Sequence, residues 1–403
     1  MTPRRIAIVA SFRIFPAETG GHLRTAAVAR SLARMGHEVR IFALAGRRED
    51  YRLAGGPKTR VDRIEPNLTE EVHLGLGLGI AQAATRVLKM ARAWVPLVLG
   101  SGWVPRRLRE TLDWAEVCIS DQPFCVPVPG ASAAKPWLLL SHNLEHRLLE
   151  RGRWQERIFA PWLRRIEAAA PQRYAGVLTC AEDDRRFFAD HDPQGRCRLA
   201  PVGCAVDPGA YLAPPGVRER IRADLGIGDD ETVFLFSGSG FQPNVDALAW
   251  LRAFNAREPT FLTQRRVRVL VVGTVSPNAW REGGIIGTGR VPDMAPYFAA
   301  SDAGLNPITW GSGANVKLFE YIAARLPVMS THFGVRGIEL EPGRDYHAFE
   351  PDSFAESLDA WLALRDRAGW RAHADEVWLR HQASVDIHQV VGRALNVLPA
   401  LSG

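Results

Sequence analysis

"RIAIVA" at residues 5–10, "GGHLRTAAVARSLARMG" at 20–36 and "EVRIFAL" at 38–44 make up the stretch that decides the fold. The first piece is apolar throughout after Arg5, as a strand covered on both faces must be. The second is helical in pattern from His22 to Met35, and Gly36 stops it. The third is a second strand. A strand, a helix and a strand in this order form the unit of a parallel α/β sheet. Gly20 and Gly21 fall between the first strand and the helix. Bare backbone there lets a ligand approach closely, and it also suits a plain tight turn.

The same grammar continues outward. Apolar runs recur at 116–120, 137–141 and 176–180, with helical patterns between them, the longest at 144–170. Residues 1–205 therefore read as one doubly wound domain. The segment AVDPGAYLAPPGV, 205–217, holds three prolines beyond Val206, so 206–217 reads as a linker. A second set follows over 218–383: strands at 232–237, 266–272, 303–305 and 327–330, with helices after Asn244, near 293–300 and after Gly313. A final helix at about 384–403 is expected to pack back on the first domain. The fold class is α/β, with two doubly wound Rossmann-like domains facing a cleft. Ligands in such sheets bind outside the carboxyl ends of the strands.

Composition bounds the function. The chain has 403 residues, enough for two or three domains, and 46% of them are hydrophobic, which excludes a disordered chain. The net charge of +6 suits an anionic ligand or an anionic membrane surface, but it is too diffuse for nucleic acid. Cysteines stand at 118, 125, 180, 197 and 204, with no Cys-x-x-Cys pair. This argues for a reducing compartment rather than a disulfide framework or a structural zinc. The opening MTPRRIAIVASFR is too short in its apolar part for a secretory leader, and no apolar run reaches membrane-spanning length. A cytoplasmic protein is expected, with a peripheral contact to the inner membrane face as a further option.

The chemistry begins at ITWGSGANVKLFEYIAARLPVMST, 308–331. Ser312 reads as the N-cap of a helix starting at Gly313. The first N–H groups of that helix and its dipole favour an anion, and phosphate is the usual occupant. Gly311 and Gly313 let a bulky anion reach the backbone, with Ala314 and Asn315 next in line. Lys317 and Glu320 share one face. A diphosphate at the terminus would place a ribose near Glu320, whose carboxylate can accept two hydroxyl hydrogen bonds. A capped surface helix with an i,i+3 ion pair reads the same letters equally well.

The order and spacing of several segments resemble a GT-B glycosyltransferase, most closely glycosyltransferase family 4, over nearly the whole chain. The glycine loop and first helix at 20–42 look like the family's N-terminal start. LTCAEDDRRFF (178–188) and APVGCAVDPGAY (200–211) resemble its later N-domain helix and its interdomain turn. FSGSGFQPNVDALAWL (236–251), GTGRVPDMAPYFAASDAGLNP (287–307) and GSGANVKLFEYIAARLPVMSTHFGVRGIE (311–339) are similar to its C-domain. The resemblance implies a nucleotide-diphosphate-sugar donor held mainly by the C-terminal domain and an acceptor on the N-terminal one. Glu320 matches the second glutamate of the family's Glu-x7-Glu motif, the ribose contact. Ser312 stands where the first glutamate would be, which puts the usual sugar contact in question. The family's basic clamp after the first C-domain strand is missing, because the loop 238–245, starting at Gly238, has no cation. Lys317 and Arg290, the latter followed by Val291, are the candidates to replace it.

Three histidines and one acidic motif need weighing. His22 stands where inverting GT-B enzymes place a general base, whereas family 4 retains configuration and needs none. His142 closes the run WLLLS and is expected to hydrogen-bond the donor sugar. With His146 it also spells H-x-x-E-H, a zinc pattern that requires both histidines on one helix. Asp190-His191-Asp192 is a lone D-x-D before Pro193 and reads as a solvated turn, so no obligatory metal and no cofactor are expected. Residues 81–109 and 147–165 mix arginines with tryptophans, including Trp94, Trp103, Trp154 and Trp162. They suit an anionic membrane and a lipid-linked acceptor, or ordinary amphipathic packing. The resulting expectation is a retaining, metal-independent sugar transferase with Lys317 and His142, and His22 under inversion, at the reacting centre. A nucleotide-sugar binder without transfer and a nucleotide-sugar epimerase are the rival readings.

Overall fold

A computed structural model describes residues 2–17, 20–44, 59–73, 104–123, 125, 135–150, 154–311, 314–364 and 366–397. The chain divides into two compact units, 1–203 with 390–403, and 204–389.

The first unit is built on an eight-stranded sheet. In chain order its strands are β1 (Arg5–Ala10), β2 (Glu38–Ala43), β3 (Thr59–Glu65), β4 (Leu68–His73), β5 (Val117–Asp121), β6 (Trp137–Leu140), β7 (Gly176–Thr179) and β8 (Arg198–Pro201). Their order across the sheet is β3-β4-β2-β1-β5-β6-β7-β8. Every pairing is parallel except β3 with β4. β5, β6 and β7 are buried along their whole length, which explains why they are mostly apolar. The helix Gly20–Arg34 follows β1 and buries Ala26, Val28, Ala29 and Leu32. A Cβ on Gly392 would lie 3.6 Å from Met35 Cε, so the C-terminal helix Ile387–Val397 passes close to the end of that helix.

The second unit holds β9 (Thr232–Ser237), β10 (Val267–Val272), β11 (Trp280–Glu282), β12 (Ile285–Gly289), β13 (Ala303–Asn306), β14 (Val328–Ser330) and β15 (His347–Ala348). Their order is β11-β12-β10-β9-β13-β14-β15, and only β11 runs antiparallel to its neighbour. Phe234, Phe236, Leu251, Val269, Leu305 and Met329 lie in its core.

Two expectations change. The helix read over 144–170 is three short helices, Glu145–Glu150, Trp154–Arg157 and Ala160–Ala168, with Ala170–Arg173 following. Pro161 and Pro171 sit in the first turns of the last two, where a proline starts a helix but could not continue one. Residues 206–217 are not a loose linker. Val206 exchanges backbone hydrogen bonds with Val385 and Ile387, and Pro208–Tyr211 forms a 3-10 turn that buries Tyr211.

Candidate functional site

In each unit the strand order reverses beside the first strand of the set. β1 lies between β2 and β5, and β9 lies between β10 and β13. Connections leave such a switch point to opposite faces and open a crevice at the carboxyl ends of the strands. The chemistry-bearing side chains gather at these two points.

In the second unit the helix Val316–Ala323 runs back from the switch point. It begins at Val316 with Asn315 in the N-cap position, not at Gly313 with Ser312 as cap. The reason lies in its neighbours. Asn315 Nδ2 donates to Asn306 Oδ1 at 3.0 Å and to Gly334 O at 3.2 Å, and its backbone N–H donates to Arg336 O, which holds the residue extended. Ser312 and Gly313 lie outside the described residues. Glu320 is therefore four residues, or about 6 Å, beyond the first helical residue, rather than the seven residues that a start at Gly313 implied.

Tyr321 fixes the helix on the sheet. Its ring occupies the space above Gly304, where a Cβ would stand only 2.3 Å away. Its hydroxyl accepts from Ser237 N at 3.1 Å and donates to Leu305 O at 3.2 Å, joining β9 to β13. This anchor places Lys317 and Glu320 at the ends of those strands. Lys317 is only 7% exposed, and its ammonium donates to Asn244 Oδ1 at 2.9 Å and to Asn315 Oδ1 at 3.2 Å. Asn244 in turn donates to Ser239 O at 3.1 Å. The cation thus sits directly behind the loop 238–245 that has none of its own. Burial pulls its pKa down to about 8, against the pull of Glu320 upward.

Glu320 makes no ion pair with Lys317 among the described residues, so the expected surface pair is not what the two residues form. The carboxylate accepts from Tyr211 OH at 3.1 Å and Ser237 Oγ at 3.3 Å. Burial raises its pKa, while Tyr211, Lys317 and Ser237 oppose that. Each oxygen retains a further lone pair for a ligand hydroxyl.

Two glycines in the loops around this pair leave little room for a side chain of their own. Gly311 has φ +145°, and a Cβ there would lie 3.3 Å from Pro243 and 3.5 Å from the Arg336 guanidinium. Gly337 has φ +100°, and its Cβ would fall 2.2 Å from Ala314 Cβ. Arg336 is stacked 3.5 Å over Phe333 and lowers the Lys317 pKa further, so a second cation flanks the Gly311 loop. Gly238 follows β9 and packs against Asn244 and Val275. Arg290 and Val291 follow β12 on the same sheet edge, with Arg290 exposed.

In the first unit His142 comes two residues after β6 and is buried. Its Nε2 lies 2.7 Å from Asp121 Oδ1, at the end of β5, and 3.3 Å from Thr25 Oγ1. Thr25 donates to the same Asp121 oxygen at 2.6 Å. With Nε2 turned to Asp121, Nδ1 is the ring nitrogen left to face a ligand. Nδ1 points toward Gly21, where an added Cβ would stand 4.0 Å away. Gly20 and Gly21 are the first two residues of the helix rather than a separate turn, and His22 follows, partly buried. Arg24, one turn on, donates to Ser141 O at 2.5 Å and Leu178 O at 3.2 Å, tying this helix to β6 and β7.

The H-x-x-E-H pattern is split. His142 lies before the helix Glu145–Glu150, and His146 on that helix bonds Glu167 at 2.5 Å. No cluster of three potential metal-ligating residues occurs among the described residues. Asp192 accepts from the backbone of Arg196 and Cys197, as a turn residue does. Of the basic, tryptophan-rich stretches, 81–103 lies outside the described residues. Trp154, Ile158 and Trp162 are all exposed. The five cysteines are buried and none forms a disulfide among the described residues, and no described helix is long and apolar enough to cross a membrane.

Asp121, Thr25, Tyr211 and Arg336 were not singled out by their letters. A carboxylate closing an apolar strand, as in CISD at 118–121, was the available signal for Asp121.

Comparison with known proteins bears on the fold. Residues 231–364 match the family model "Glycosyl transferases group 1". No curated protein sequence matches the chain. The chain is similar to a sucrose-phosphate synthase from Thermosynechococcus elongatus, with 16% identity, TM-score 0.63 and 97% of each chain covered. It is similar to HepE of Anabaena, solved with UDP and glucose, with 14% identity, TM-score 0.60 and coverage of 97% of this chain and 98% of that one. It is also similar to an α,α-trehalose-phosphate synthase (UDP-forming) from Burkholderia xenovorans, solved with glucose-6-phosphate, with 14% identity, TM-score 0.66, and 99% and 100% coverage. Both sheets and their flanking helices are those of the GT-B fold.

Proposed function

We propose that this GT-B glycosyltransferase, with its group 1 domain at 231–364, transfers a sugar from a nucleotide-diphosphate-sugar to a hydroxyl acceptor, with retention and without an obligatory metal. The observation that carries the reading is the buried Lys317 ammonium beside Glu320 at the β9/β13 switch point. Glu320 takes the ribose hydroxyls. The Gly311 and Gly238 loops and the start of the helix Val316–Ala323 receive the diphosphate.

During transfer the bond between the anomeric carbon and the diphosphate oxygen breaks, and its electron pair leaves with the diphosphate. The acceptor oxygen bonds to the anomeric carbon, and its proton passes by way of the departing diphosphate oxygen to water. Lys317, Arg336 and the helix N-terminus meet the charge that develops on the leaving group. These cations are the support for metal independence. His142, held by Asp121, offers Nδ1 to a hydroxyl of the donor sugar. His22 becomes a general base only if the reaction inverts.

The acceptor is proposed to be lipid-linked, with the protein cytoplasmic and peripheral to an anionic membrane. Trp154, Ile158 and Trp162 recur every four residues, beside exposed Arg157, Arg164 and Arg165, and this supports that contact.

UDP-sugars are the first donors to try, since HepE was solved with UDP and glucose. A thermal-shift screen of UDP-, GDP-, ADP- and dTDP-sugars identifies the donor. Product analysis by NMR then decides. Sugar on an acceptor with the donor's anomeric configuration supports the proposal. An altered nucleotide sugar, or binding without turnover, refutes it in favour of epimerisation or of a binding protein. Activity that EDTA abolishes and Mn²⁺ restores refutes metal independence.

A further inference from the structure

A cavity of about 230 Å³ lies in the second unit, at the opposite sheet edge from the Lys317 site. It is framed by the end of the helix Val316–Ala323, the start of β13 and the first turns of the helix Arg367–Val385. Four guanidiniums, from Arg218, Arg325, Arg367 and Arg371, line it against two carboxylates, from Asp302 and Asp375. The positive surplus is larger than this ratio suggests. Asp302 is already shared by Arg218 at 2.6 Å, Arg222 at 3.3 Å and Arg367 at 3.7 Å, and it also accepts from the Val233 backbone. Asp375 is 59% exposed and, among the described residues, pairs with Arg325 at 3.4 Å.

Two donors in the wall have nothing to donate to. Trp370 is 7% exposed, and its indole N–H has no acceptor among the described residues. The buried Nε of Arg325 has none either. Arg325 is held at φ +57° with its guanidinium 4.1 Å over the Trp378 ring, an unusual backbone state for a long side chain. A buried donor left unpaired is destabilising, and such groups in native structures usually mark a missing partner. Arg371 is exposed on the same helix, one residue beyond Trp370. Trp370, Arg325 and Arg371 all line this one cavity.

We propose that this cavity binds a small phosphate-bearing anion, at a site distinct from the Lys317 site. Guanidinium forks and an indole N–H suit the tetrahedral array of phosphate oxygens. The cavity has room for one phosphate group with a short organic substituent. The proposal does not rest on the transfer reading, because none of its residues takes part there.

The test is calorimetric titration with inorganic phosphate and with glycerol 3-phosphate. Wild type, Lys317→Ala, Arg371→Glu and Arg325→Gln are compared, each checked for folding by its thermal transition, and UDP is titrated in parallel. Loss of a charge-assisted contact should weaken phosphate binding about ten- to a hundredfold in Arg371→Glu and Arg325→Gln. Lys317→Ala should leave phosphate binding intact, and Arg371→Glu should leave UDP binding intact. Absence of phosphate binding to wild type at millimolar concentration overturns the proposal. So does binding that survives both arginine changes or disappears with Lys317→Ala. Failure of UDP to bind wild type counts against the transfer reading alone.

Discussion

Lys317 gives the sharpest test, because its environment predicts a pH dependence with a definite sign. Burial pulls its pKa to about 8 in the free protein. A diphosphate arriving beside it raises that value again, since an opposite charge favours the ammonium. Nucleotide affinity should therefore be flat through neutral pH and fall as pH rises past about 8, when binding must draw a proton onto a neutral amine. With a bound-state pKa well above the range studied, the fall approaches tenfold per pH unit, or roughly thirtyfold between about pH 7 and pH 9.5. Calorimetry of UDP in buffers of different ionisation enthalpy reads both the affinity and the proton uptake, which should approach one proton near the upper limit. In Lys317→Met, which keeps the length and accepts burial, affinity should be lower and its slope with pH should vanish. Turnover should fall more than donor binding, because charge on the diphosphate is greatest as it leaves. Lys317→Arg should rescue poorly, since Asn244 and Asn315 enclose a compact ammonium and not a planar fork. The stability of the free protein moves the other way. A depressed lysine pKa means that the unfolded chain holds more protons between about pH 8 and 10.5, so the folded state gains up to about 3 kcal/mol across that window. UDP affinity that is constant from pH 7 to about 9.5, or a pH slope that survives in Lys317→Met, refutes the reasoning.

Glu320→Ala should weaken nucleotide binding by about 1.5–3 kcal/mol while leaving a sugar diphosphate without the nucleoside little affected, as calorimetry can check. Glu70 is buried, accepts from the Ile14 and Phe15 backbone, and has its pKa raised to about 7 by burial. The folded state therefore binds the extra proton between about pH 4.5 and 7, and the stability from this group, of order 3 kcal/mol, is lost as pH rises through that window. Chemical denaturation against pH should show that loss in wild type and not in Glu70→Gln. Asp121→Asn should cut turnover by about an order of magnitude or more with a smaller change in donor KM, because His142 loses the carboxylate that fixes its tautomer; unchanged turnover would make the pair structural only. Gly337→Ala should destabilise the second unit by about 1–3 kcal/mol, given its left-handed φ and the collision with Ala314 Cβ, and thermal unfolding measures it.

The strands were legible because burial on both faces leaves a mark that a short window can read. RIAIVA and TVFLFS hold no polar residue inside the run, and both are central strands. The helix start before Lys317 was misread for the opposite reason. Ser312 and its glycines have cap-like letters, but the helix boundary is set by Asn306, Gly334 and Arg336, which reach Asn315 from elsewhere in the unit. The packing of the linker was hidden for the same reason. Prolines suggest a loose segment, yet Tyr211 is held by Glu320, 109 residues away in sequence. Thr25 and Asp121 meet across 96 residues, and no local pattern in either segment announces the other.

The missing clamp shows how far letters alone mislead about charge. The loop 238–245 has no basic residue, which made the domain look under-equipped for a diphosphate. The cation proposed to replace it comes from behind, from a lysine that Asn244, in the first turn of the helix Gln242–Arg257, holds at 2.9 Å. An exposed arginine would be hydrated and screened, and it would have to be ordered when the donor binds. A buried ammonium is already ordered and stands in a low-dielectric setting, where its field on a nearby phosphate is stronger. Its burial costs stability in the free protein, and the depressed pKa measures that cost. On the proposed function a bound diphosphate removes part of it, and the departing diphosphate, with one more negative charge than the donor ester, removes more. A cation placed this way favours the products of bond breaking over the bound donor, which is the direction in which a transferase must apply its charge.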